Sequence, residues 1–227
     1  MYRVDFKNKS TDDFQVVTKD IGRRKRANEQ IDRYTSPYRN GELTVHTNKY
    51  DSYSRNMTFT SLDDSELSDI YKWLNGYGKL RTSIDPDGFF YASVIGEVEA
   101  VADGPILNDL SIEFSVEPFF YLDSGDSVVE VENGAVMTNL GSFQASPLIT
   151  IYGEGDITLS INGKSVLLEN VVDSISMDSL KLVCYRGNEN MGRKMIGEYL
   201  FLEEGENEIS YQGTVMKVEI TPRWCEK

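Results

Sequence analysis

The segment "YQGTVMKVEITPRW", residues 211–224, determines how the C-terminal part of this chain is expected to fold. Its residues alternate in character, and the apolar residues of one face are Met216, Val218, Ile220, Pro222 and Trp224. Strict alternation of this kind predicts a β-strand with one buried face. Because chain ends usually fray, a large aromatic residue this close to the last residue indicates that a core holds it. The segment therefore predicts an interior strand of a β-sandwich.

A second alternating segment supplies the matching face of that sandwich. The stretch "DITLSINGKSVLLE", residues 156–169, alternates apolar and polar residues on both sides of Asn162-Gly163. Asn-Gly between two such runs is typical of a two-residue hairpin, because a type I′ turn requires positive φ at both central residues. The predicted core of the sandwich comprises Ile157, Leu159, Ile161, Val218, Ile220 and Trp224.

Two other hairpins are predicted from turn-forming residues between alternating runs. One turns near Gln212-Gly213, and the other turns on "DPDG", residues 85–88. The second stretch superficially resembles a calcium-binding loop. An EF-hand loop, however, needs a helix on each side and an acidic residue at its twelfth position, where this chain has Gly96. The hairpin interpretation is therefore favoured.

One helix stands out among the strand patterns, over residues 63–75. Asp63 is the expected N-cap, and Glu66 lies three residues later, which is the spacing of a capping box. The apolar residues that follow have helical spacing, as in Leu67 and Ile70. The fold class is therefore mainly β with one clear helix.

The pattern divides the chain into two domains joined by a segment rich in Gly, Ser and Asn. Residues 1–125 are expected to form an α+β domain with a β-sandwich, the helix and a β-hairpin. Residues 126–145 interrupt the alternation and are interpreted as a linking segment. Residues 146–227 are expected to form the C-terminal β-sandwich.

Charge is distributed unevenly along the 227 residues, whose net charge is −14. Residues 1–60 hold twelve Lys or Arg against eight Asp or Glu, and the remainder holds eleven against 29. An acidic chain is disfavoured as a nucleic-acid-binding protein, because phosphates would be repelled by most of its surface. The most basic stretch is Arg23, Arg24, Lys25 and Arg26. It could serve nucleic acid or a localisation receptor, but the favoured interpretation, given the acidic remainder, is a solvated loop or a contact with acidic surface of a neighbouring copy.

The residue types that most often form catalytic or metal-binding sites are few in this sequence. The chain has one histidine, His46, and two cysteines, Cys184 and Cys225. A structural zinc site needs four ligands at closer spacing, and no nucleophile elbow surrounds either cysteine. Two carboxylates would suffice for a glycosidase, which the acidic residues neither support nor exclude. No catalytic, cofactor-binding or metal-binding residue is predicted.

Four blocks of sequence, in this order, resemble the distal tail protein (Dit) family of long, non-contractile-tailed phages and prophages. They are "SPYRNGEL", "LSDIYKWLNGYGKLRTSIDPDGFFYASVIGEV", "LSIEFSVEPFFYLDSG" and the C-terminal region from "SPLITIYGEGD" to "EEGENEISYQGTVMKVEITPRW". Each block alone is a weak signal, since turns and alternating strands recur widely. Together they span nearly the whole chain, and the spacing leaves no room for the carbohydrate-binding insertion that some members carry.

The resemblance implies a structural role. In that family the N-terminal domains close into a ring, usually of six copies, and the C-terminal domain is a galectin-like β-sandwich that projects outward. The implied partners are the chain itself, the tail tube protein, a tail-associated lysin or tip protein, and receptor-binding baseplate proteins. The implied location is the tail tip of the virion. Cytoplasmic synthesis is expected, because the first residues lack the apolar stretch of a signal peptide.

A second interpretation remains open, in which the sandwich binds a glycan or a host receptor. The thirteen tyrosines motivate it, since aromatic side chains can stack on sugar rings, although in a β-rich chain they more often belong to cores and interfaces. Fold alone does not decide between these two, because one fold supports many functions.

Overall fold

The computed structural model describes residues 2–26, 28–102 and 108–227. The chain forms two compact units, the first ending at Phe120 and including Lys227, and the second running from Tyr121 to Glu226. The division falls inside a strand and a few residues before position 125, where the sequence placed the end of the first domain. Within the described residues the protein is mainly β with one α-helix, in agreement with the fold class expected from the sequence.

In its described residues the first unit contains nine strands and the helix. They are β1 (Val4–Phe6), β2 (Lys9–Ser10), β3 (Val16–Asp20), β4 (Asn28–Thr35), β5 (Glu42–Asp51), β6 (Tyr53–Ser61), α1 (Leu67–Trp73), β7 (Tyr77–Thr82), β8 (Asp85–Ala102) and β9 (Asn108–Leu122). Seven of these strands lie in one sheet, in the order β2-β1-β7-β8-β9-β6-β3. Its buried face carries aromatic residues such as Phe6 and Phe114, whose rings meet edge to face at 5.3 Å.

Helix α1 is shorter than the sequence predicts, because a 3₁₀ turn at Asp64–Glu66 replaces its first turn. Asp63 does act as a cap, since its carboxylate accepts a hydrogen bond from the Ser65 amide at 2.8 Å. The reciprocal half of the capping box does not form, because the Glu66 carboxylate accepts instead from the Gln15 amide. The helix is held to the sheet by Trp73, whose indole N–H donates to the Phe6 carbonyl at 2.8 Å.

The hairpin between β7 and β8 turns at Ser83-Ile84, two residues before the predicted turn. Thr82 pairs with Asp85, and the Thr82 hydroxyl donates to the Asp85 carboxylate at 3.2 Å. The turn-forming residues 85–88 therefore begin β8 rather than the loop. Pro86 is tolerated there because proline is compatible with the start of a strand.

The second unit contains ten strands. They are β10 (Val129–Val131), β11 (Ala135–Asn139), β12 (Leu148–Ile161), β13 (Lys164–Val171), β14 (Ser174–Asp178), β15 (Val183–Arg186), β16 (Glu189–Asn190), β17 (Met195–Ile196), β18 (Gly205–Thr221) and β19 (Cys225–Glu226). The Asn162-Gly163 hairpin forms between β12 and β13 as predicted, with positive φ at both residues. The long strands β12 and β18 pair along most of their lengths, which makes β18 an interior strand.

Strand β18 does not turn at Gln212-Gly213, contrary to the sequence prediction. It continues through these residues as one strand from Gly205 to Thr221, and its register against β12 shifts there. Gly213 has φ +113°, and a side chain on it would press against the carbonyl of Asp156. The glycine thus permits an irregularity within a continuous strand, at the point where its register with β12 shifts.

Two further differences concern the ends of this strand. Met216 is 71% exposed rather than buried, because Lys217 pairs with Tyr152 and Val215 with Gly153, so that Met216 is the extra residue of a β-bulge. The strand also ends at Thr221, and Pro222–Trp224 continue as irregular backbone. Trp224 is nevertheless 4% exposed.

Residues 126–145 are not a linker. Strands β10 and β11 lie in this stretch, and both pair antiparallel with β18. Their short length and the intervening turn with Gly134 at φ +81° account for the broken alternation. The segment therefore belongs to the sheet of the second unit.

Candidate self-association surface

Strands β4 and β5 form an arm, defined here as residues 28–51. In the described part of the chain these two strands form a sheet of their own, and nearly all of their residues are exposed. An isolated two-stranded hairpin is at best marginally stable in water. The arm is therefore the part of the first unit that most needs a partner.

One face of the arm carries three exposed apolar side chains, next to Asp32. Tyr34 pairs directly with Leu43, and Val45 lies two positions along the same face. These side chains are 56%, 47% and 42% exposed, respectively. Contiguous exposed apolar residues of this kind mark interaction sites in soluble proteins.

The tip of the arm presents an aromatic residue to solvent. Tyr38 is 97% exposed. The Ser36 hydroxyl accepts from the Tyr38 amide and the Ser36 carbonyl accepts from the Arg39 amide, at 3.3 and 3.2 Å. These two hydrogen bonds close the turn, and the Tyr38 side chain is exposed beyond it.

The base of the arm is fixed by a hydrogen-bond cluster around Glu29. Its carboxylate lies 3.0 Å from His46 Nδ1 and accepts from the Asn48 amide at 3.2 Å. The hydrogen bond with His46 is the main reason why the pKa of Glu29 lies below its ordinary value. These hydrogen bonds lie where the pairing of β4 with β5 shifts register, between Glu29 and Ile31. Asn48, opposite this shift, has φ +55°. His46 therefore lies in the arm.

The basic stretch at residues 23–26 does not act as one group. Arg24 forms an ion pair with Asp85 at 2.8 Å, and its guanidinium lies over the Phe120 ring at 4.5 Å and the Phe90 ring at 5.4 Å. Arg24 is thereby used within its own unit. The other predicted contact residues, Arg23, Lys25 and Arg26, are exposed, and their role in contacts between copies stays a prediction.

A residue that the sequence analysis missed holds this stretch in place. Arg55 on β6 is 1% exposed, and its Nε donates to the Ile21 carbonyl at 2.8 Å. Burial lowers the pKa of Arg55. Its position between Tyr53 and Met57 on the inward face of an alternating strand was the available signal, since a cation at an apolar position is rarely left without a structural role.

The six residues predicted for the sandwich core all lie in one buried cluster of the second unit. Five are at most 1% exposed and Trp224 is 4% exposed. The Trp224 carbonyl accepts from the Leu122 amide at 2.9 Å, and Gly125 is packed so closely against Trp224 that a side chain would not fit. These contacts keep the C-terminal segment in place beyond the end of β18.

A largely buried ion pair also lies in this segment. Arg223 donates to both carboxylate oxygens of Asp178, at 2.6 and 3.0 Å. The side chains of Arg223 and Asp178 are 12% and 2% exposed. Arg223 adopts φ +58°, which directs its side chain inward between two apolar neighbours.

The described residues contain no group of three or more His, Cys, Asp or Glu side chains that could hold a metal ion. Burial raises the pKa of Cys184 to about 11, and burial together with the charge of Glu226 raises the pKa of Cys225 to about 12. Both thiols are buried and protonated at neutral pH, which makes them poor nucleophiles. Of the helices in the described ranges, none has the length and apolar character needed to span a membrane.

Comparison with known proteins identifies the fold. The chain matches no protein-family model, and no curated protein matches it. It is similar in structure to the Dit protein (gp 19.1) of phage SPP1, described as a paradigm of the hub adsorption apparatus in phages that infect Gram-positive hosts, with a TM-score of 0.73 over 97% of each chain. The two sequences are 10% identical, so the likeness is one of fold. The Dit-like fold implied by the sequence resemblance is confirmed.

Proposed function

We propose that this chain is a structural hub protein of a phage tail tip, and that it assembles with copies of itself into a ring. The fold supports this role, because the similar SPP1 protein is described as a paradigm of a hub adsorption apparatus. The sequence resemblance to the distal tail protein family supports it independently.

The main structural support for self-association is the exposed arm. Its apolar face, with Tyr34, Leu43 and Val45, is open to solvent, and covering it would remove apolar surface from water at a gain of ~25 cal/mol per Å². The occupant is a second copy of the chain. An arm on one side of a molecule that binds a different surface of its neighbour makes a head-to-tail contact, and such contacts close into a ring when the rotation permits.

The resemblance supplies the further details of the assembly. A ring of six copies is proposed, with the first units forming the ring and the galectin-like second units projecting from it. The two sides of such a ring would bind the tail tube protein and the tail-associated lysin or tip protein, with receptor-binding baseplate proteins as additional partners. The location is the tail tip of the virion, and neither nucleic acid nor a membrane is a proposed partner.

No catalytic activity, cofactor or metal is proposed for the chain. The thiols are protonated at neutral pH and His46 pairs with Glu29 in the arm. The alternative function, glycan binding by the second unit, has no specific observation in its favour. One cleft there, beside Asn170, Ile175 and Arg186, encloses about 10 Å³, which is room for one water molecule rather than a sugar ring.

Light scattering on the purified chain over a range of concentrations tests the proposal. The expected result is a defined oligomer of six copies, with a melting temperature that does not respond to a panel of mono- and oligosaccharides. A chain that stays monomeric at every concentration, and whose melting temperature rises with a sugar, would support the alternative function instead, because a ligand that binds only the native state stabilises it.

A further inference from the structure

A groove in the first unit lies between the end of helix α1 and strand β8. Its volume is about 460 Å³. The apolar part of its lining consists of Tyr71, Leu74, Val94 and Val98. The polar part includes the Asn75 amide and the Glu97 carboxylate. The exposed lining is about equally polar and apolar, and a concave surface that combines apolar side chains with a few polar groups can serve as a binding site.

Aliphatic side chains beside an exposed carboxylate suit an occupant that combines an apolar ring with a cation. The Glu97 side chain is exposed at the groove, so a guanidinium is the cation that fits best, since it can bind a carboxylate with two parallel hydrogen bonds. A tyrosine is the apolar group that fits best, because its ring would pack on the aliphatic lining while its hydroxyl finds a polar partner. Asn75 provides such a partner.

The tip of the arm presents this combination. Tyr38 and Arg39 are adjacent in a turn that is closed by Ser36. Tyr38 is 97% exposed, so the tip of the arm does not occupy the groove of its own chain. Both partners are therefore available for a contact between two copies.

We infer that the tip of one copy docks into this groove of the next copy, with Tyr38 in the groove and Arg39 paired with Glu97. This inference rests on the proposed self-assembly and identifies its contact. Tip and groove are different surfaces of one chain, so the contact is head-to-tail, as ring closure requires. Tyr38 fills the role of a central aromatic anchor, and Arg39 selects the partner and the register.

Mass photometry on the full chain and its variants tests the inference. Tyr38→Ala should weaken association ~30-fold, as expected for loss of an aromatic hot-spot residue. Arg39→Glu and Glu97→Arg should each weaken it ~10-fold or more, and the double variant Arg39→Glu/Glu97→Arg should recover most of the loss, because the swap restores the pair. The matched controls are Met216→Ala and Glu204→Arg, which alter exposed residues of the second unit and should leave association unchanged.

The outcomes separate this inference from the proposed function. Circular dichroism and the melting temperature should match the wild type for every variant, since all substituted residues are exposed. A wild type that associates but is unaffected by Tyr38→Ala and Glu97→Arg overturns the groove contact and leaves the ring standing. Loss of association in both single charge variants without recovery in the swap also overturns the pairing. A wild type that never associates overturns the proposed ring and this contact together.

Discussion

The ion pair between Arg223 and Asp178 offers the sharpest test of how the C-terminal segment is held. The perturbation is Arg223→Met, which keeps an unbranched apolar stem, shorter than the arginine side chain, and removes the charge. Asp178 would then keep its hydrogen bonds from the Leu180 and Lys181 amides, both at 3.1 Å, but would lose its partner cation at a position that is 2% exposed. Removing one member of a buried pair costs about 3–5 kcal/mol, because an uncompensated charge remains.

Lys181→Ala is the matched control for this substitution. Its ammonium lies 4.0 Å from the same carboxylate, but its side chain is 71% exposed. An exposed partner of this kind contributes less than about 1 kcal/mol. A second variant, Arg223→Lys, keeps the charge and removes the bidentate geometry, so its loss of stability should lie between those of Arg223→Met and Lys181→Ala.

Urea unfolding followed by tryptophan fluorescence measures the effect. Trp73 and Trp224 lie in different units, so comparison with a Trp73→Phe background assigns the Trp224 transition. The free energy of unfolding of the second unit should fall by about 3–5 kcal/mol in Arg223→Met. A loss below about 1 kcal/mol with an unchanged native spectrum would refute the reasoning, because it would show that the buried carboxylate does not need its partner.

The same pair makes the stability of the second unit depend on pH. Burial acts to raise the pKa of Asp178, but hydrogen bonding and the charge of Arg223 outweigh it, so the pKa lies below its ordinary value. A carboxyl whose pKa is lowered by folding stabilises the protein above its unfolded pKa of about 3.9, and this contribution is lost as the pH falls through the folded pKa. Between pH 7 and pH 3 the unfolding free energy should therefore decrease more steeply in the wild type than in Arg223→Met.

Three other predictions concern the core and the arm. Trp224→Ala should lower the unfolding free energy of the second unit by about 3–5 kcal/mol, measured by urea unfolding, and a change near zero would show that Trp224 is not part of the core. Leu43→Ser/Val45→Ser should weaken association about tenfold in mass photometry and leave the melting temperature unchanged. Val136→Ser, the control on the second unit, should leave both association and the melting temperature unchanged. Trypsin should cleave after Arg39 in dilute protein and more slowly in concentrated protein, and cleavage rates independent of concentration would contradict burial of the tip on association.

The sequence predicted those features that depend on local pattern. The hairpin at Asn162-Gly163 requires only two residues with positive φ between alternating runs, and the core residues Ile157 and Val218 require only alternation. The prediction of a turn at Gln212-Gly213 was wrong for a reason that lies outside this segment. A glycine that permits a turn also permits a bend, and the choice depends on the register with β12.

Features that depend on long-range contacts could not be predicted. The pairing of Arg223 with Asp178 joins residues 45 positions apart, and neither position has a distinctive local pattern. The Glu66 carboxylate binds Gln15, 51 positions away, which shortens the helix that its capping-box spacing predicted. Exposure of the arm could not be predicted either. The alternation that includes Leu43 and Val45 indicates a buried face, but it does not tell whether residues of the same chain or of another chain bury that face.

Imaging of the purified chain by negative-stain electron microscopy tests the central claim most directly. The sample should be prepared at the concentration at which light scattering shows the largest defined oligomer. The account predicts closed rings of six copies in end-on views, because a head-to-tail contact through the arm repeats around an axis. Fields of single particles of monomer size, or open chains of variable length, would contradict it.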